Sequence, residues 1–177
     1  MEPGQMVSVF ARDRAGQHVL KEMNWGLVPT SYAAFPEDWT GHTSHARIET
    51  VHELAAFRDS WRLKRRVIFP MAHFRQRAND ASKILNIRKK QVSVDLTRAD
   101  GQPMGIAGIY NAFQTAEGLY LSCAMLTRPA SRGLEGINDR FPAMLDPNAF
   151  AAWLDGADTL DLETPPPAGA FAIALAA

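Results

Sequence analysis

Few side chains in this chain could carry chemistry, and spacing sets most of them aside. Three histidines, His42, His45 and His52, fall in one short stretch and invite a metal reading. Zinc needs three or four ligands in fixed spacing, and no cysteine or paired acid completes the set. They therefore read as loop and helix-surface histidines. The single cysteine, Cys123, stands mid-strand between apolar neighbours, which marks a buried structural thiol rather than a nucleophile. The sequence holds no glycine-rich phosphate loop, no GxSxG elbow and no CxxC pair. Two basic runs, Arg62-Leu63-Lys64-Arg65-Arg66 and Arg88-Lys89-Lys90, could hold phosphates, but taken alone they read rather as a solvated helix end and a solvated hairpin. These residues imply no cofactor and no metal.

The elements that must position these groups belong to an α+β domain. At 177 residues, with 46% hydrophobic and 21% charged, the chain has the composition of a soluble globular protein with one core. Nineteen basic residues balance nineteen acidic ones, so any nucleic-acid site must come from local clustering of charge. No apolar run approaches the ~20 residues of a membrane span. The start MEPGQMVSVF lacks the pattern of a signal peptide. With one thiol and no intrachain disulfide, a cytoplasmic location without a membrane partner is the default expectation.

Alternation predicts strands over residues 5–11 and 18–25 joined by the turn Asp13-Arg14-Ala15-Gly16. Residues 29–41, with Pro29, Pro36 and Gly41, read as a loop. Thr50 and Glu53 have capping-box spacing, and Leu54, Phe57 and Trp61 recur at helical spacing, predicting an amphipathic helix over residues 51–61. Val67-Ile68-Phe69-Pro70 reads as a buried strand, and residues 91–97, 104–113 and 119–127 as three more in an antiparallel meander. Asp146-Pro147 opens a short helix carrying Phe150, Trp153 and Leu154. The working division is a domain over residues 1–156 and a Pro/Ala-rich segment, 157–177, expected to add little to the fold.

Six segments, in order, bear a resemblance to one family. Asn24-Trp25-Gly26-Leu27-Val28-Pro29 is similar to a WGLIP segment, and His45-Ala46-Arg47-Ile48-Glu49-Thr50 to NARxET. The stretch from Phe57 through Arg65, Arg66 and Pro70 resembles one ending RRCLVPADGFYEW, and Gly105-Ile106-Ala107-Gly108-Ile109-Tyr110 resembles FAGLWE. Leu126-Thr127 with Ile137-Asn138-Asp139-Arg140-Phe141-Pro142 resembles ILT and IHDRMP, and Ala151-Ala152-Trp153-Leu154 the helix that follows. The family so resembled is that of the SOS response-associated peptidases (SRAP). The resemblance implies a compact α+β domain with curved, mostly antiparallel sheets around a groove for single-stranded DNA.

It also implies a chemistry. An N-terminal cysteine captures the aldehyde of a ring-opened abasic site: its amine forms an imine and its thiol closes a thiazolidine. The Asn of NARxET orients the amine, the Glu of FYEW moves protons, and the His of IHDR assists ring opening and reversal. The peptidase name reflects self-removal of a propeptide in some members. Here position 2 is Glu2, and Pro3-Gly4-Gln5 resembles a family stretch inside the domain, so the family's first segment is expected to be missing. Such a gap would leave a sheet edge that a dimer or partner could cover. The other departures are His45 for the Asn, Gln76 for the Glu and Asn138 for the His; neither amide titrates.

Arg47 and Arg140 match family arginines on DNA phosphates, Trp25 an aromatic near the strand, and Arg75 and Arg77 add charge beside the altered Gln76. Two roles stay open for Arg47 and Arg140: DNA contact, or pairing with Glu49 or Asp139 to hold loops together. Three functional readings follow. The first is a catalytically impaired member, a pseudoenzyme, that at most binds single-stranded DNA. The second is an active abasic-site crosslinking enzyme and autopeptidase whose cysteine segment lies outside this sequence. The third is a scaffold or phage-related remnant with no DNA role.

Overall fold

Alternation builds the first hairpin. Strand β1 (Met6–Arg12) buries Val7, Val9 and Ala11 and exposes the residues between them. It pairs antiparallel with β2 (His18–Trp25) from Met6↔Asn24 to Arg12↔His18. In the turn, Asp13 accepts a 2.8 Å bond from the Gln17 N–H, and Gly16 takes φ 82, as a glycine readily does. The computed structural model describes residues 3–88, 91–157 and 161–176. Expectations placed on Glu2, Lys89 and Lys90 fall outside these residues.

After a loop with a short turn at Pro36–Asp38 come β3 (His45–Arg47), α1 (Arg58–Arg62), β4 (Arg66–Met71) and β5 (Phe74–Arg77). Helix α2 (Ser82–Leu85), β6 (Ser93–Arg98), β7 (Met104–Thr115), β8 (Gly118–Pro129) and β9 (Arg140–Pro142) follow. The chain ends on α3 (Phe150–Leu154) and β10 (Phe171–Leu175). The larger sheet runs β2-β1-β4-β7-β8-β3 with β9 beside β8. A parallel contact of β2 with β8, at Asn24↔Ser122 and Trp25↔Cys123, closes five of these strands into a ring. Thus β1 lies between β2 and β4.

Val9, Trp25, Phe69, Ile106 and Cys123 fill the inside of the ring. Ile68, Ile109, Ala124 and Leu126 form a second core outside it, under Phe57 and Trp153. A smaller antiparallel sheet, β10-β6-β5, brings Phe74 and Phe171 against Phe141, with ring centroids 5.6–6.0 Å apart. The α+β class stands, with mostly antiparallel strands and short helices.

Three expectations are corrected. The helix over residues 51–61 shrinks to Arg58–Arg62, preceded by separate turns in which Thr50 O accepts from the Glu53 and Leu54 N–H groups. Packing overrides periodicity here: Val51 is fully buried while Leu54, expected on the apolar face, is 48% exposed. The meander holds only for β7 and β8, because β6 leaves for the smaller sheet. The C-terminal segment does contribute: β10 pairs with β6 along five residues, and buried Arg128 donates to the carbonyls of Leu162 and Thr164.

Candidate functional site

The end of β2, the start of β3 and the β4–β5 turn converge on a cleft of about 450 Å³ between the ring and the smaller sheet. Trp25 forms part of its wall. The ring is 7% exposed and its Nε1 donates to Ser44 O at 2.8 Å, so it is a fixed surface rather than a mobile stacking platform. His45 meets it edge-on, with centroids 5.2 Å apart. Parallel pairing with Met125 of β8 holds the His45 backbone, and Ser44 Oγ lies 3.0 Å from Nδ1. Part of the His45 surface is open to solvent, yet the packing around the imidazole desolvates it and lowers its pKa from 6.5. A neutral ring at pH 7 follows. His45 thus stands on a strand, not in a loop or on a helix surface as its neighbours in sequence suggested.

Across the cleft lie Pro70, Met71, His73, Arg75 and Gln76. Gln76 donates from Nε2 to Arg140 O at 3.0 Å, and its Oε1 is buried without a hydrogen-bond partner among the described residues. Asn138 accepts from the Arg140 N–H at 3.2 Å. The two amides therefore grip opposite sides of one residue's backbone. Asn138 itself is not part of the cleft wall and reaches it only through Arg140 and Gln76.

Of the two acids expected to pair with Arg140, the structure places Glu49 there. The Arg140 guanidinium forks onto Glu49 at 2.5 and 2.8 Å and also donates to Thr127 O at 2.7 Å. The hydrogen bond from Arg140 holds the Glu49 carboxyl below its usual range, outweighing the opposing effect of burial. This pairing ties β9 to the segment after β3 and uses much of the charge-recognition capacity of Arg140. Arg75 is similarly forked onto Asp95 at 2.7 and 2.8 Å, on an exposed surface. Arg77 reaches Gln91 Oε1 at 3.4 Å. The guanidinium of Arg47, exposed on β3, makes no hydrogen bond among the described residues and acts on Glu49 through its charge.

Sequence reasoning thus gathered Trp25, His45, Arg75 and Gln76 into one cleft, with Asn138 and Arg140 behind Gln76 and Arg47 and Arg77 outside the wall. It missed His73, Met71 and Met125, which line the same space. Met71 and His73 fall in the turn between β4 and β5, where no periodic signal marks a role. Cys123 is fully buried, and desolvation raises its thiol pKa to about 12, which rules it out as a thiolate nucleophile at neutral pH. Among the described residues, no group of three or more His, Cys, Asp or Glu side chains is placed to hold a metal ion. Nor is any described helix long and apolar enough to cross a membrane.

A closed ring with a small flanking sheet, and a cleft between them edged by the WGLVP and HARIET segments, defines a protein class. The chain belongs to the SOS response-associated peptidase (SRAP) family, whose model matches residues 1–171. It is 26% identical over 144 residues to the abasic site processing protein YMR114C of Saccharomyces cerevisiae, covering 80% of this chain and 36% of that one. It is 28% identical over 158 residues to the abasic site processing protein YobE of Bacillus subtilis, covering 89% and 68%. The chain therefore spans little more than a third of the yeast relative's length and about two thirds of the Bacillus one's. A solved protein structure from Bordetella bronchiseptica superposes with a TM-score of 0.81 at 28% identity, over 100% of this chain and 86% of that one.

Proposed function

We propose that this chain is a DNA-damage protein that engages single-stranded DNA at abasic sites by reversible binding in the cleft, its proton-transfer chemistry lost. One observation carries the reading: the positions matched to the family's Glu and His hold Gln76 and Asn138, both bonded to the backbone of Arg140. An amide keeps the shape and hydrogen bonds of the site but neither accepts nor releases a proton at neutral pH. The scaffold is kept while the chemistry is not. Arg47 and Arg77, both exposed, are the cations best placed for phosphates, whereas Arg140 acts chiefly as a brace.

Two observations favour other readings. His45 and His73 leave two imidazoles in the cleft, which supports a crosslinking enzyme with rearranged proton carriers. The forks of Arg140 and Arg75 onto carboxylates support a scaffold with no DNA role. Incubation with abasic and intact single-stranded oligonucleotides, analysed on native gels and again after heat and detergent, separates the three. We expect a shift favouring the abasic strand that denaturation abolishes. A stable adduct would establish the crosslinking reading, and no shift the scaffold.

A further inference from the structure

The fold sorts the basic run at residues 62–66 into an inner and an outer half. Arg65 donates to the buried Asn111 side chain. Arg66, 2% exposed, lies with its guanidinium 3.9 Å from the Trp61 ring and 4.8 Å from the Trp153 ring. Arg62 and Lys64 turn outward instead, and with His52 and Arg58 they line an open cleft of about 600 Å³ beside Trp61. The one acid in that lining, Asp59, already accepts from the Thr30 hydroxyl and lies 3.7 Å from Arg62. The side chain of Arg62 is 79% exposed. His52 lies 3.4 Å from Glu53, so the positive charge of this face rests on Arg58, Arg62 and Lys64.

Lys64 makes the arrangement more than a scatter of surface cations. It follows the C-cap of α1 with φ 54, in the left-handed region where glycine is the favoured residue. Its stem packs where Gly156 leaves room: a Cβ at Gly156 would lie 2.9 Å from Lys64 Cβ. The backbone thus carries a disfavoured conformation with a cation at its apex, and a second position accommodates that side chain.

We infer that the α1 face is a second nucleic-acid contact, where Arg58, Arg62 and Lys64 hold phosphate oxygens of a strand extending beyond the nucleotides in the cleft. The inference rests on the single-strand reading above. Phosphodiester backbone is the occupant because the lining offers several cationic donors, and charge-assisted hydrogen bonds to phosphate need no base. Contact is therefore independent of sequence and dependent on salt.

The test uses the intact chain and fluorescence anisotropy with oligothymidylates of ~30 and ~6 nucleotides over a range of salt, spanning one or several binding-site lengths. Two variants are compared with the wild type: the double reversal Arg58→Glu with Arg62→Glu, and Lys64→Gly. For the long oligonucleotide, we expect the double variant to weaken binding roughly tenfold or more and to lower the salt slope by ~0.7 per lost contact. The short one should bind all three proteins alike. Lys64→Gly should weaken long-strand binding while leaving the thermal midpoint unchanged or raised, an opposition that mere unfolding cannot produce. Equal long-strand affinity in all three proteins would overturn the inference. So would phosphatidylserine vesicles responding to the variants when the long strand does not. If the wild type binds neither length, the single-strand reading itself fails; if both lengths bind equally tightly, only the second contact does.

Discussion

Around the cleft, Arg140 and Arg75 are committed to bidentate carboxylate pairs; on the α1 face, Arg58 and Arg62 stand exposed, Arg62 with only a 3.7 Å contact to Asp59. Arg140 and Arg75 fork onto Glu49 and Asp95, and the matched proton-transfer positions beside them hold amides. Some residues away, Arg58, Arg62 and Lys64 stand in solvent above Arg65 and Arg66, which are built into the structure. An arginine in a motif is a better guide to a partner when the fold does not commit its guanidinium to a bidentate internal pair. By that criterion the proposed DNA contact falls to Arg47 rather than to Arg140, although both match the same kind of family residue.

The largest effect that separates the two halves of the basic run is expected at Arg66. Arg66→Ala leaves a hole between Trp61 and Trp153 and should lower stability by about 3 kcal/mol or more in urea unfolding. Arg62→Ala, with a largely exposed side chain, should stay within about 0.5 kcal/mol. Equal losses would erase the distinction between inner and outer arginines.

Next in size is Arg140→Ala, which removes bonds to Glu49 and Thr127 and should cost about 2 kcal/mol. The pair also sets an acid limb. The Glu49 pKa is lowered in the folded state, so its stabilisation is full above the ordinary value of 4.5 and is lost as pH falls through the lowered one. Glu49→Gln should flatten that limb; an unchanged acid profile would show that the brace contributes little.

Gln76→Glu comes third, with a loss of about 1 kcal/mol at pH 8, because a carboxylate would face Arg140 O where Nε2 now donates. That carboxyl's folded-state pKa would be raised above the unfolded one. Its contribution should therefore be kept below the unfolded value and lost as pH rises through the folded one, in chemical denaturation across pH. The smallest effect is expected at His45. Desolvation lowers its folded-state pKa, so the unfolded chain takes up a proton first and stability declines as pH drops below 6.5. His45→Asn should remove that decline and leave stability at pH 8 nearly unchanged.

Much of the fold was legible where contacts are local. The β1–β2 hairpin follows from alternation and its turn, the β7–β8 hairpin from two strand candidates close in sequence, and Asp146-Pro147 caps the start of the last helix, accepting from the Asn148 N–H at 2.8 Å. Pairings between distant segments were not legible. Strand β3 has three residues and earns its place only by parallel pairing with β8, while β10 is alanine-rich and becomes a strand only because β6 lies beside it. The candidate site divides in the same way. Trp25, His45 and Gln76 came from motif likeness, not periodicity, and pairing across the sheets brings them together. The choice between Glu49 and Asp139 as partner of Arg140 depended on how β9 docks beside β8, which spacing along the chain does not specify.

Loss of proton transfer at positions 76 and 138 is tested most directly by giving the chain an exposed N-terminal cysteine and timing adduct formation with abasic single-stranded DNA on denaturing gels. The rate is compared with and without the paired replacements Gln76→Glu and Asn138→His. A general acid or base typically contributes ~10²-fold or more, so the doubly substituted chain should crosslink faster by about that factor. Equal rates would contradict the claim that the two amides are what silences the site.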